Sequence, residues 1–530
     1  MSSEPSTASN GRRFLSFCKR IVWRGFAVLA IVYALLALRY FVPSPQVKRN
    51  FTREWNAVIE RIPADQRAWP RYITAMIAIG DLRISAFDVP QKGEETPERV
   101  QEWHGWLAAH QDTLDAIRRA AELPALGYRM SSRISDEQLE MMRITRGYVP
   151  ELIPPEVENP LMLGVLLPHL GEIRTLARFI AGDATHAREV GDFERFRRDI
   201  RALIGMGGQC FKEPTLISQL VGLAIHSLAI ERAKEGVVRA NFMNEAQLAA
   251  LDAELARITE HGLTLDLANE RDMRLDIIQR FHSDDGEGGG HLAYSNESFA
   301  LFSEFGVQTP RAMVLWHAIG PVASITAPSR RTLTMKLDDM VEAAKEDQKL
   351  PLYRFAERRA GELLHDVDFR RGIGVMEVLP FFESLAGGEE NFVDAPFRTR
   401  DLALMRCDIV RTLIAIHRAR AASGSWPASL ESLVPQYLAN VPLDAFDGAP
   451  LRYRPATGEN DLPLLYSVGV DGVDQGGSPA MTDDGRNDVK IGNLLRYFRG
   501  KATPAPHEQR QLDRARFDWV IWPEPPPVLN

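Results

Sequence analysis

The chain has 530 residues, a length that suggests about three folded units at roughly 100 to 200 residues each. Its 45% hydrophobic and 25% charged residues sit at globular averages, which excludes wholesale disorder and fibrous repeats. Lys and Arg total 63 against 71 Asp and Glu, and the net charge of -8 is spread along the chain, so no concentrated basic face marks a nucleic-acid partner.

Residues 1–20 form a short basic tail, read as cytoplasmic, with Arg12, Arg13, Lys19 and Arg20. Residues 21–42 read IVWRGFAVLAIVYALLALRYFV, and Phe26 to Leu38 is an unbroken apolar run. About 20 residues cross a bilayer core, so this segment predicts a transmembrane anchor, with Arg24 and Arg39 snorkelling and Trp23 and Tyr40 at the interfaces. A basic stretch before an apolar run also describes a signal peptide, but no A-x-A site follows, which favours retention. Lys48, Arg49, Arg53 and Arg61 nearly balance the basic residues before the segment, so charge favours an inside N-terminus only slightly. A short basic tail is harder to export than a long body, and the body is placed outside the cytoplasm.

From 46 to 395 the periodicity is helical. Phe193, Phe196, Ile200, Leu203 and Ile204 form one apolar stripe, Leu248, Leu251, Leu255 and Ile258 another, and Leu166, Leu170, Ile173 and Ile180 a third. Short links carrying Gly, Pro or Asp, such as GDATHAREVGD at 182–192, separate them and predict stacked antiparallel hairpins. AWPRYITAMIAIG at 68–80 has the rhythm of a tetratricopeptide repeat, but no period of about 34 residues continues it, so the expectation is an irregular helical domain.

Two features of this body bear on chemistry. FHSDDGEGGGHL at 281–292 gathers His282, Asp284, Asp285, Glu287 and His291 in a Gly-rich loop, residue types that suit a hard cation or zinc although the spacing matches no standard site. The plain alternative is a solvated turn. His169, His226 and His365 lie within helical pattern and read as packed or surface histidines. No GxSxG, GxxxxGK[ST] or GxGxxG signature is present, and the three cysteines, Cys18, Cys210 and Cys407, allow at most one disulfide beyond the anchor.

From 398 to 530 the text changes to one helix and short strands. Leu402, Met405, Ile409, Thr412, Leu413 and Ile416 define the helix, which should end near Ser423, Gly424 and Pro427. A short helix is predicted at 428–437, strands at 451–455 and 464–469, and a closing strand at 518–522.

Three stretches here, GSWPASLESL at 424–433, VPLDAFDGAPLRY at 441–453 and YSVGVDGVDQGG at 466–477, resemble in order and spacing the globular domain of the type II secretion major pseudopilin. The match covers roughly 90 residues, and nothing before 395 shares it. It implies a Ca²⁺ site in the acidic loop, with Ser467, Asp471, Asp474, Asp483, Asp484 and Asp488 as candidate ligands. A loop rich in Asp and Gly is also what a hard cation with oxygen ligands requires, although a solvated loop has the same composition. Two departures stand out: Ala30 occupies the position of the family's membrane-helix glutamate, and a long body separates anchor from module, so assembly into a pseudopilus is not expected.

The expected protein is mainly α, with a transmembrane helix, a large irregular helical domain and a small α+β module. Its expected place is the bacterial inner membrane, single-pass, with the bulk outside the cytoplasm. Its expected role is that of a scaffold or interaction protein meeting another envelope protein. The alternative is an extracytoplasmic metal-dependent hydrolase built on the 281–292 loop.

Overall fold

A computed structural model of the protein describes residues 8–80, 96–147, 149, 159–165, 167–239, 242–260, 263–295, 310–357, 391–458, 461–478 and 518–523. Among these the chain is mainly helical, with fourteen α-helices and one three-stranded sheet. Contacts divide it into two units, each discontinuous in sequence. The first comprises Met1–Asn50, Arg271–Met340 and Gly361–Glu390, and the second Phe51–Glu270, Val341–Ala360 and Asn391–Asn530.

In the first unit, α1 (Ala8–Phe41) carries the apolar run Phe17–Phe41, none of whose most apolar stretch is buried in protein. Phe26 and Leu29 expose 65% and 66% of their surface, an arrangement that water disfavours and lipid satisfies. By length and composition the segment suits a membrane span or a signal sequence. Trp23 is exposed, as a belt residue should be, but Tyr40 is fully buried. A Cβ added to Gly320 would stand 2.5 Å from the Tyr40 ring. That glycine belongs to α12 (Pro310–Thr326), which packs on α1 and receives a hydrogen bond from the Tyr33 hydroxyl at the Ala318 carbonyl, 2.9 Å. Helices α11 (Ala268–Phe281) and α13 (Arg330–Asp347) pack through Leu275, Ile278, Leu333 and Leu337.

The second unit is a helical stack. It contains α2 (Phe51–Glu60), α3 (Trp69–Ile79), α4 (Pro97–Ala109), α5 (Gln111–Ala121), α6 (Asp136–Arg146), α7 (His169–Glu189), α8 (Phe193–Phe211), α9 (Leu216–Val238), α10 (Glu245–Glu260) and α14 (Asn391–Ser423). Local chemistry sets several ends. Ser135 and Gln138 form a capping box at the start of α6, Asp192 caps α8 by accepting from Arg195 N at 3.0 Å, and Thr215 caps α9 by accepting from Ser218 N at 3.1 Å. The expected stripes are buried: all five residues from Phe193 to Ile204, all four from Leu248 to Ile258, and Leu170, Ile173 and Ile180, while Leu166 lies outside the described residues.

Helices α8 and α9 meet at backbone distance, since a Cβ on Gly222 would stand 2.6 Å from the Gly207 carbonyl oxygen. Helix α9 is long and apolar enough to cross a bilayer, yet it packs on α7, α8 and α14 as a core helix. The 182–192 link is shorter than expected. Helix α7 continues to Glu189 and only Val190 to Asp192 connect it to α8, because Gly182 lies inside the helix, where the Trp103 ring occupies the space a Cβ would need.

Helix α14 ends as expected, with Gly424 following at φ 78°. It packs against α9 and α10: Arg411 Nε donates to Asp252 at 2.8 Å and Arg418 Nε to Glu245 at 2.9 Å. The helix expected at 428–437 is a single 3-10 turn, Glu431–Leu433, because Pro435 disfavours helical geometry at Val434, which is extended at ψ 136°. Strands β1 (Arg452–Arg454), β2 (Leu464–Ser467) and β3 (Trp519–Trp522) form an antiparallel sheet in that order, with the expected closing strand at its edge. Trp522 of β3 lies 5.2 Å from both Trp426 and His417 by ring centroid, which seats the sheet on α14. Cys210 and Cys407 are buried and free.

Candidate functional site

The acidic C-terminal loop is organised by carboxylates. Asp444, fully buried, accepts from Ser467 Oγ at 3.0 Å, Val468 N at 2.9 Å and Phe446 N at 3.0 Å, and burial pushes its pKa up despite these bonds. The candidate ligand Ser467 is therefore a core residue whose hydroxyl already donates. Asp471 accepts from Val473 N at 3.1 Å and Gln475 Nε2 at 3.0 Å. Asp474 accepts from the Tyr466 hydroxyl at 3.1 Å and Gly476 N at 2.8 Å. Asp518 accepts from Gln475 N at 3.0 Å, Gly477 N at 2.7 Å and Ser478 N at 3.3 Å, which turns three amides of the loop toward one carboxylate. Asp483, Asp484 and Asp488 lie outside the described residues. Asp444 and Asp518 were not legible as loop organisers in sequence, since the loop groups they hold at Ser467, Val468 and Gln475 to Ser478 lie 23 or more residues away.

The 281–292 loop, in the first unit, is a junction. His282 is buried, with Nε2 3.2 Å from the Pro328 carbonyl, and burial lowers its pKa to about 4. Asp284 pairs with Lys48 and Arg330, both at 2.9 Å, and Asp285 accepts from Glu287 N at 2.9 Å and Gly289 N at 2.8 Å. His291 places Nδ1 3.1 Å from Ser283 Oγ and Nε2 2.9 Å from the Arg39 carbonyl at the end of α1. Asp276, a helix-borne carboxylate that could have completed a metal site here, is held by Gln279 at 2.8 Å and Arg280 at 3.2 Å. Each of the four candidate residues thus has polar partners of its own.

A buried charge network braces α5, α7 and α8. Arg118 donates to Asp199 at 2.7 Å, to Asp115 at 2.5 Å and to Asp183, which also takes Arg195 Nε at 2.8 Å and Gln111 Nε2 at 3.0 Å. Burial raises Asp199 well above the usual carboxylate range against the pull of Arg118, whereas burial of Asp183 is outweighed by its arginine bonds and its pKa falls. Asp115, Arg118, Arg198 and Arg201 border a polar cleft of about 150 Å³. With so many of its charges already matched, the network reads as a brace rather than a reactive centre.

Sequence reading missed one cluster. His104 of α4 and His186 and Glu189 of α7 bring their ligand atoms within 4.8 Å of one another, the one group of three or more His, Cys, Asp or Glu found to do so among the described residues. His104 Nε2 lies 3.3 Å from Glu189 Oε2, and the two imidazole centroids are 3.8 Å apart. Partial burial, aided by His104 and Arg195, lowers the His186 pKa. The available signal was the His-x-x-Glu spacing at 186–189, hidden because this stretch read as a link, while His104 stands on another helix.

No family model, curated protein or solved structure matches the chain. The class that fold and sites define is a mainly helical protein with an N-terminal apolar helix and a small antiparallel sheet.

Proposed function

We propose that this protein is a membrane-anchored extracytoplasmic scaffold or interaction protein, retained in a bacterial inner membrane by α1 and presenting a calcium-stabilised, pseudopilin-like module to another envelope protein. The observation that carries the reading is the contrast along α1. Its most apolar stretch is unburied, whereas its end is fastened to the rest of the first unit through buried Tyr40, through Tyr294 N donating to the Tyr40 carbonyl at 2.9 Å, and through His291 at the Arg39 carbonyl. A cleaved signal would leave these partners behind, so the fastening supports retention. The order helix, 3-10 turn, strand pair and Asp-rich loop supports the pseudopilin-like assignment, with calcium on Asp471 and Asp474 and on the acids after them. The 281–292 residues hold partners of their own, which favours the scaffold over an extracytoplasmic metal-dependent hydrolase built on that loop.

The test is fractionation. Full-length protein should remain in the pellet after alkaline carbonate washing, and protease added to spheroplasts should digest the chain beyond residue 43. Release of a shortened chain into the soluble fraction would refute retention, and full protection from protease would reverse the topology.

A further inference from the structure

We propose that His104, His186 and Glu189 form a binding site for a first-row divalent cation, zinc foremost, that staples α4 to α7. Zinc bonds to imidazole nitrogen and carboxylate oxygen at about 2.0 to 2.1 Å in tetrahedral geometry, so neighbouring ligand atoms should lie about 3.3 to 3.4 Å apart. His104 Nε2 and Glu189 Oε2 lie 3.3 Å apart, and all three ligand atoms fall within 4.8 Å of one another. His186 and Glu189 stand three residues apart, hence on one face of α7, and His104 reaches them from α4.

A second observation points to a ligand independently. His186 Nδ1 is buried from solvent and has no hydrogen-bond partner among the described residues, so one imidazole nitrogen of the cluster has its lone pair or proton unmatched, and a bound ion is one way to satisfy it. The donor chemistry selects the ion, because two imidazoles suit zinc and its neighbours, whereas calcium and magnesium take oxygen ligands. The His104 and Glu189 side chains are 27% and 41% exposed, which gives the ion an entry path and leaves a fourth position to water. Arg239 braces the helix end, donating to the Arg188 carbonyl at 2.8 Å and the Glu189 carbonyl at 3.4 Å. This inference does not depend on the anchor or on the pseudopilin-like module.

The experiment uses tag-free full-length protein in detergent, stripped with chelator and titrated with Zn²⁺ by calorimetry, then with Co²⁺ by visible absorption. One equivalent of zinc should bind, raise the melting temperature and, for cobalt, give the intense bands of four-coordinate geometry. His104→Ala and Glu189→Gln remove ligands outright and should weaken binding by more than the about 10- to 100-fold that loss of an outer-sphere partner costs. Unchanged melting of the metal-free variants confirms that they fold. Asp471→Ala should leave zinc binding intact. Absence of zinc binding to the parent, binding unchanged in both ligand variants, or binding abolished by Asp471→Ala would each overturn the site.

Discussion

Replacing Glu213 by Gln should stabilise the protein by an amount that grows with pH. Glu213 follows α8, is 5% exposed, and receives the backbone N–H of Gly127. Burial outweighs that hydrogen bond and pushes its pKa from 4.5 up to about 8. The folded state therefore holds this proton more tightly than the unfolded chain does. Its contribution to stability is complete below the unfolded value and is lost as pH rises toward 8. One pH unit in that window corresponds to about 1.36 kcal/mol, so from pH 5 to pH 7.5 the parent loses about 3 kcal/mol through this group alone. Gln keeps the size and can still accept from Gly127, but it does not titrate. Melting temperatures of parent and Glu213→Gln, measured in one detergent at pH 5, 6, 7 and 7.5, should diverge with rising pH. At about 2 to 4 °C per kcal/mol for a domain of 150 to 250 residues, the gap should widen by several degrees. A gap that stays constant or narrows across the range would refute the reasoning, because only a carboxyl titrating in that window produces the divergence.

Gly222→Ala should destabilise the second unit by about 1 to 3 kcal/mol or more, since its methyl would meet the Gly207 carbonyl and neither helix backbone can move without disturbing the core; a melting temperature equal to the parent's would count against the close approach of α8 and α9. If the C-terminal loop holds calcium, ligand at about 100 times its dissociation constant adds roughly 2.7 kcal/mol, so melting should differ between excess Ca²⁺ and chelator in the parent and not in Asp471→Ala. Identical parental curves would remove calcium from the proposal.

What the sequence disclosed follows from what periodicity measures. The stripes at 193–204 and 248–258 were legible because burial of one helix face imposes the 3.6-residue spacing directly. The strand at Asp518 to Trp522 was legible because its alternation ends at prolines. The mistaken link at 182–192 came from reading Gly182 as a breaker, when it makes room for Trp103 across the helix pair. Tyr40 misled for a related reason: its type suits the membrane interface, but Gly320, 280 positions later (320 minus 40), opens a slot for it. The His104, His186 and Glu189 cluster escaped entirely, since its members converge in space from two helices and no local rule joins them.

The contact between Tyr33 and Ala318 joins residues 285 positions apart, and this separation constrains how the chain is made. At about 5 to 20 residues per second, a ribosome needs roughly 15 to 60 seconds to deliver the partner after α1 has emerged. Throughout that interval Tyr33, Tyr40 and the end of α1 stand without their eventual neighbours while residues 51–270 are synthesised. The second unit waits longer still, because α14, which packs on α9 and α10, arrives only after residue 391. Early arrest of synthesis should therefore leave an incomplete protein in which α9 lacks the cover that α14 provides.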